Sequence, residues 1–564
     1  MVETSWIRGV NLGGWLMLER YITPYQFAVT DCHIQGDFCW YPGQASAPPG
    51  HEKYCDFKSC TPYLRENVLG ILDFPFDEYN LGLAFAQNQS IGEEWLDYHF
   101  QNFITEQHVR DLKKAGITHL RVPMPHWILG DIREGEPWLL GKRWDYFRVL
   151  VEWCREIGLF VWPDIHTAPG SQNGFDNSGI QTPDVTCNGW GANPDNVHRS
   201  LDVITAVSRA IMDDGMRDVV TGFGLLNEPF KDCDRQMFLD FIEKGLDIVR
   251  DTMGADTSVY VSDLFSPMTF NDGTWWLDPI KYANTFLDSH YYHVFAGRPR
   301  GLSPRQHIAY TCVSEYKATS QLSGSSSCCY EDAENMTAPS RGVKRIVGEW
   351  SAATDTLPVA LLNDVMSGIA ANASAPQLHR TLSRGRKAFL RNFVEAQMVS
   401  YEAADKGVGQ GWFYWTARME GGAFAEWDFL RGIHEGWVPT PLPKPDETSA
   451  SRFGSCNDII FRTEDSMSII HEFPPPADDA NNWQGVILDD DVVVTHGASL
   501  LKGVDQDLIV VPAQNTGGGN DLLFSVMAIA AFVAVAGFGT QFIRRARRKA
   551  QYEPIELSAT NLTV

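Results

Sequence analysis

Eight short β-like runs fall before residue 420, and segments with helical spacing lie between several of them. The runs are Trp6–Leu12, Thr118–Val122, Phe160–Ile165, Thr221–Leu226, Ser258–Ser262, Thr285–His290, Lys344–Gly348 and Gln410–Tyr414. Trp144, Phe147, Leu150, Val151 and Cys154 follow the i, i+3, i+4, i+7 pattern, as do His198, Leu201, Ile204, Val207 and Ile211. A strand–helix unit repeated eight times closes into a (β/α)8 barrel, so an α/β fold of the TIM-barrel kind is expected. An open doubly wound sheet would need a glycine-rich nucleotide turn after the first run, and Asn11-Leu12-Gly13-Gly14-Trp15 is not one.

Two glutamates stand where an apolar run stops: Glu228 in Leu226-Asn227-Glu228-Pro229 and Glu349 in Val347-Gly348-Glu349-Trp350. Carboxylates at the C-terminal ends of barrel strands point into the mouth, and two facing carboxylates are the apparatus of glycoside hydrolysis. Asn227 stands beside Glu228. Arg121, His166, His290, Tyr292 and Trp415 end or follow other runs at the same level. Any one of them has an ordinary structural explanation, since a lone histidine is usually a core or surface residue. The order and placement of the set carry the argument.

Composition narrows the partners. The formal net charge of −25 disfavours nucleic acid, because phosphate contacts need clustered Lys and Arg. Eighteen tryptophans suit sugar faces, although most indoles in a large barrel simply pack. Seven of the eleven cysteines gather in two stretches, Cys32–Cys60 and Cys312–Cys329, without histidines at zinc-ligand spacing. Stapled surface insertions in an oxidising compartment are therefore expected, with no metal, and Cys154 is expected to be a plain buried thiol. Asp489-Asp490-Asp491 reads as a solvated acidic turn rather than a cation loop.

Beyond the barrel pattern the chain changes character. The expected division is a catalytic domain over 1–456 with insertions at 31–62 and 299–340. An accessory region and stalk over 457–521 follow, then a transmembrane helix at 522–543 and a cytoplasmic tail at 544–564. The uncharged run from Leu522 to Ile543 would span about 33 Å as a helix, enough for the hydrocarbon layer. Arg544, Arg545, Arg547, Arg548 and Lys549 follow at once, which by the positive-inside rule leaves the barrel outside the plasma membrane. No signal segment precedes Trp6. A truncated start is expected over a tail anchor with the enzyme domain in the cytosol, which would force five basic residues across the membrane, and sequons at Asn88, Asn335 and Asn372 lean the same way.

Several longer motifs then make the chain recognisable. These are Arg8-Gly9-Val10-Asn11-Leu12-Gly13-Gly14-Trp15, Arg121-Val122-Pro123, Asp164-Ile165-His166 with the stretch Ala168–Gly179, Leu226–Pro229, His290–Phe295 and Gly348–Ala352. Together they resemble the exo-β-1,3-glucanases, the glucan 1,3-β-glucosidases of glycoside hydrolase family 5, over about residues 5–456. The resemblance implies a TIM barrel, Glu228 as acid/base and Glu349 as nucleophile, with no cofactor and a β-glucan substrate. Arg121, His166, Asn227, His290, Tyr292 and Trp415 match the rest of that active site. It further implies that Glu19, Asp176 and Asn177 close the pocket, that Phe175 and Phe295 clamp the entrance, and that Cys312 pairs with Cys456. Thr167 and His293 depart from the family pattern, which has Gly and Gln there.

On this reading Arg121 lowers the pKa of Glu349, while partial burial lifts Glu228 to about 6. A retaining, monomeric exo-hydrolase releasing glucose from non-reducing ends of β-1,3-glucan, in cell-wall glucan metabolism, is expected. The alternatives are a hydrolase or transglucosylase of the same fold on another β-glucoside, such as a 1,6-glucan or a glycolipid, or a non-catalytic glucan-binding membrane protein.

Overall fold

The computed structural model describes residues 6–27, 75–86, 88–265, 282–294, 302–312, 344–354, 381–403, 409–420 and 424–465. Phe295, Cys32, Cys39, Cys55, Cys60, Cys328 and Cys329, the sequons at Asn335 and Asn372, and most of both insertions lie outside them. So does everything from residue 466 onward, including the span at 522–543. Among the described residues no helix is long and apolar enough to cross a membrane. Residues 1–181 and 185–500 group as one compact unit; the other, 182–184 with 501–564, lies almost wholly beyond the described residues.

Eight parallel strands close on themselves in sequence order: β1 Ile7–Asn11, β2 His119–Met124, β3 Phe160–Ile165, β4 Gly222–Gly224, β5 Ser258–Ser262, β6 Thr285–Tyr291, β7 Lys344–Trp350 and β8 Gly409–Tyr414. Each coincides with one of the eight runs, though β4 is shorter than its run. Such a barrel is buried on both faces, which is why its strands carry near-continuous apolar residues rather than clean alternation. Arg8 reinforces the closure from outside. Its guanidinium binds Glu402 at 2.7 and 3.0 Å and donates to the carbonyls of Pro443, Lys444 and Glu447.

Inside the barrel, Trp162, Tyr260, Phe286, Ile346 and Phe413 form a cluster separate from the main core. These side chains fill the lower interior, and the backbone must yield room to them. A Cβ on Gly9 would stand 2.0 Å from the Phe413 ring. One period-two step further along β3 and β6 come Asp164 and Asp288, and Asn11 of β1 and Arg121 of β2 stand at the same level, all buried.

Outside, the helix Arg143–Ile157 buries Phe147, Leu150, Val151 and Cys154, so the thiol is free and enclosed. The helix Pro194–Asp213 starts with Asn193 accepting from the Asp195 amide and proline in its first turn. It buries Leu201, Ile204, Val207 and Ile211, whereas His198 is exposed and Arg199 occupies the buried position beside it. Part of the 299–340 insertion is helical: Pro304–Cys312 packs beside the helix Arg384–Tyr401. Cys312 bonds to Cys456, which opens the helix Cys456–Arg462. Arg462 reaches back to Asn392 and Glu395, so packing onto the barrel continues past residue 456.

Candidate active site

Both glutamates arrive at the mouth, but by different routes. Glu228 lies four residues beyond β4 at φ 46°, in the left-handed region that disfavours side chains and marks functional turns. Asn173 on the loop after β3 fixes that turn by donating to the Glu228 carbonyl at 3.0 Å. Glu349 sits within β7, where the pairing slips: Ser289 faces Val347, but His290 faces Glu349. The neighbour on the other side shows the same slip, with Val347 opposite Trp412 and Trp350 opposite Tyr414. The extra residue is Gly348, and this β-bulge turns into the mouth a side chain that strict alternation from Ile346 would send outward.

The two carboxylates meet there. Oxygens of Glu228 and Glu349, together with a ring nitrogen of His290, all lie within 4.8 Å of one another. Arg121 donates to Glu349 Oε1 at 2.8 Å and Tyr292 donates its hydroxyl proton to Oε2 at 2.8 Å. His290 Nδ1 is 2.7 Å from Glu228 Oε1, and Asn177 donates to Oε2 at 2.9 Å. Asn227 accepts from Arg121 at 2.7 Å and its amide lies 3.3 Å from His166 Nε2. Trp415 stacks on His166 with 8° between the planes.

Three supporting residues were not singled out from the sequence as site residues. Asp164 binds His166 Nδ1 at 2.7 Å and Arg121 at 3.2 Å. Asn11 accepts from Arg121 at 2.8 Å. Asp288 accepts the Gly348 amide at 2.7 Å and lies 3.3 Å from His290 Nε2. The available signal was spacing: Asp164 and Asp288 each stand two residues before a mouth histidine, on the same strand face.

The electrostatics reverse the expected order. Burial lifts the Glu349 carboxyl above its ordinary range; the Glu228 charge adds to this, and His290 and Arg121 pull the other way. Burial also pushes Glu228 upward, but the hydrogen bond and charge of His290, with the Asn177 contact, hold it below the usual value. The cause is the direction of His290, whose shortest contact goes to Glu228. Arg121 is meanwhile divided among Glu349, Asp164, Asn11 and Asn227. Burial disfavours a charged His290, yet Glu349, Asp288 and Glu228 keep it protonated well above the ordinary histidine range.

Around this centre the pocket is partly polar. Burial and the charges of Asp176, Glu349 and Glu228 lift Glu19 far above the carboxylate range, although Tyr21 donates to it. Glu19 Oε1 and Trp415 Nε1 are buried without a hydrogen-bond partner among the described residues, two groups that a sugar hydroxyl would satisfy. Asp176 and Asn177 form a 3-10 turn on the loop after β3. Phe175, beside them and half-buried, meets Phe230 and Phe265 edge-on at 6.2 Å each. Those two rings were not anticipated. Nor was the disulfide Cys187–Cys233, which ties the loop after β3 to the loop after β4. Asp232 strengthens that tie by accepting from the Cys187 amide at 2.7 Å and from Thr186 at 2.6 Å.

Both departures from the family pattern have local partners. Thr167 Oγ1 accepts the His126 amide at 2.9 Å and contacts its ring at 2.8 Å. His293 pairs with His307 at 3.0 Å. By distance, Glu228, His290 and Glu349 are the described group that could hold a metal ion. Their atoms are already bonded to one another, to Tyr292 and to a guanidinium, an arrangement suited to proton and nucleophile chemistry.

No family model matches the chain. Curated homologues carry the name glucan 1,3-beta-glucosidase. One from Lachancea kluyveri is 27% identical over 465 residues, covering 78% of this chain and 88% of the relative. "Glucan 1,3-beta-glucosidase 2" of Wickerhamomyces anomalus is 29% identical over 456 residues, covering 80% and 90%. Among solved structures, rutinosidase from Aspergillus niger superposes with a TM-score of 0.50 at 17% identity, covering 77% of this chain and 98% of that one. That likeness concerns the barrel fold.

Proposed function

We propose that this chain is a retaining glycoside hydrolase that releases glucose from non-reducing ends of β-1,3-glucan. The observation that carries the reading is the convergence of Glu228 and Glu349 within 4.8 Å in one buried mouth. Retaining enzymes hold their carboxyl groups about 5–5.5 Å apart, whereas inverting ones leave room for a water. The names of the similar yeast proteins favour β-1,3-glucan as the substrate.

In this mechanism Glu349, oriented by Arg121 and Tyr292, attacks the anomeric carbon. The glycosidic bond breaks as Glu228 gives its proton to the leaving oxygen, producing a covalent glucosyl ester on Glu349. Water then attacks that ester, gives its proton to Glu228, and leaves β-glucose and a free Glu349 carboxylate. Glu228 must be protonated only once sugar is bound. A hydroxyl that competes for Asn177 removes one of the donors favouring its ionised form. The barrel acts as a monomer outside the plasma membrane in cell-wall glucan metabolism, held by a span at 522–543.

The test is to incubate the full-length chain with laminarin-type and 1,6-linked glucans and follow sugar and anomer. Early β-glucose from the 1,3-linked substrate is expected. Early α-glucose would contradict retention, longer oligomers would contradict exo action, and preference for the 1,6-linkage would move the substrate.

A further inference from the structure

Asp288 lies behind His290, away from the two catalytic carboxylates, and both of its oxygens are committed. Oδ1 accepts the Gly348 amide at 2.7 Å, and Oδ2 faces His290 Nε2 at 3.3 Å. The other ring nitrogen, Nδ1, lies 2.7 Å from Glu228 Oε1 and 3.4 Å from Glu349 Oε2. Each nitrogen therefore faces carboxylate oxygens, which in their ionised form only accept. We propose that Asp288 is a positioning residue for the reaction: it keeps His290 doubly protonated, so that an imidazolium bridges the two catalytic carboxylates and sets their shared proton inventory.

The other titratable groups facing this cluster are Glu19 and Asp176 beside the two glutamates and Tyr260 of β5 beside Asp288 and Arg121. From β2 comes Arg121, already bonded to Glu349 and Asp164. From β3 comes Asp164, paired with His166 just after the strand. Glu228 follows β4, Glu349 lies on β7, and Tyr292 donates to Glu349. Asp288 contributes the carboxylate on the Nε2 side of the ring. The direction already described for His290, held protonated well above its ordinary range, agrees with this geometry.

Asp288→Asn separates charge from shape. Its Oδ1 can still accept the Gly348 amide, which places the Nδ2 donor against His290 Nε2. That nitrogen must then give up its proton, leaving a neutral ring that donates only through Nδ1. The lost positive charge is adjacent to Glu228 and Glu349, while the lost negative charge sits a ring's width further away. The nearer loss dominates, and both carboxyl pKa values rise.

This inference rests on the glycosidase reading, so two separable measurements test it. Nitrogen-15 NMR of histidine-labelled full-length chain reports the state of His290 without any turnover. At pH 6 the wild type should show an imidazolium and Asp288→Asn a neutral ring with the proton on Nδ1. With laminarin oligosaccharides, both limbs of the kcat/KM profile should move to higher pH by about one unit in the variant. A neutral His290 in the wild type would overturn the proposal whatever the activity. So would a variant that is slower at every pH with unmoved limbs, since that marks a structural role alone. Absence of hydrolysis by the wild type would instead count against the glycosidase reading, leaving the NMR result to decide the role of Asp288.

Discussion

The lower and upper halves of the barrel interior come from the same strands yet are built on opposite principles. Along β3 and the residue after it the inward series runs Trp162, Asp164, His166; along β6 and the residue after it, Phe286, Asp288, His290, Tyr292. The first member of each packs in an aromatic plug, and the later ones join a network of buried charges. A plug of this kind stabilises chiefly by removing apolar area from water, and its polar tips are few: Trp162 Nε1 donates to Thr221 and the Tyr260 hydroxyl to the Pro163 carbonyl. The charged half is stabilised only while each partner remains, because an unpaired buried charge is strongly unfavourable. The plug thus supplies stability and a floor, and the mouth supplies chemistry.

Substitutions in the two halves should therefore fail differently. Glu349→Gln or Glu228→Gln should lower turnover by about 10²–10⁴-fold or more in a protein that still folds. The drop in thermal midpoint should be too small to explain that loss, because Gln keeps the shape but not the charge facing Arg121 or His290. Steady-state rates beside a melting curve check this, and near-normal turnover by either variant would reject the assigned roles. Trp162→Ala should do the reverse, costing about 3–5 kcal/mol of stability while the folded fraction keeps most of its kcat. Denaturant titration alongside active-site-normalised rates reads both.

Gly348 sits where the halves join. A Cβ there would lie 2.2 Å from Asp288 Oδ1, so Gly348→Ala must displace either the bulge or the carboxylate. A stability loss of about 1–3 kcal/mol is expected, with a fall in kcat larger than that loss explains. If activity and stability fell in proportion, the bulge would have no separate part in aiming Glu349.

The smallest expected effect concerns protons in the plug. His119 packs against Phe160, Trp162 and Phe413, and burial pushes its pKa down to about 3. Unfolded, the same side chain binds a proton near pH 6.5. Between those values the unfolded chain holds more protons, so stability falls as pH drops from 6.5 towards 3. A neutral His119→Gln removes that contribution. The gap in melting temperature between wild type and variant should narrow by roughly 2–4 °C between pH 7 and pH 4.5. A constant gap would mean that His119 is already charged in the folded protein.

Much of this organisation was legible beforehand. Eight apolar runs at barrel spacing specify eight strands, because a strand buried on both faces needs continuous apolar residues whatever its neighbours are. Period-two spacing then says that His166 shares a face with Asp164, and His290 with Asp288, once the strand ends are known. Cysteine pairing was less accessible: Cys187 and Cys233 are 46 residues apart, and only the adjacency of two strand-end loops brings them together. The aromatic contacts of Phe175 were hidden for the same reason, since Phe230 and Phe265 follow different strands.

What the chain determined by itself was the barrel and the identity of the groups at its mouth, since local periodicity is written residue by residue. Tertiary structure alone decided the phase of Glu349 and the allegiance of His290. A one-residue slip in β7 costs little locally but exchanges inside for outside, and its position depends on how Asp288 and Gly348 meet across strands. The imidazole, likewise, could have served either carboxylate. Its shorter contact with Glu228 fixes which group is held ionised, and that distance exists only when strands far apart in sequence are brought side by side.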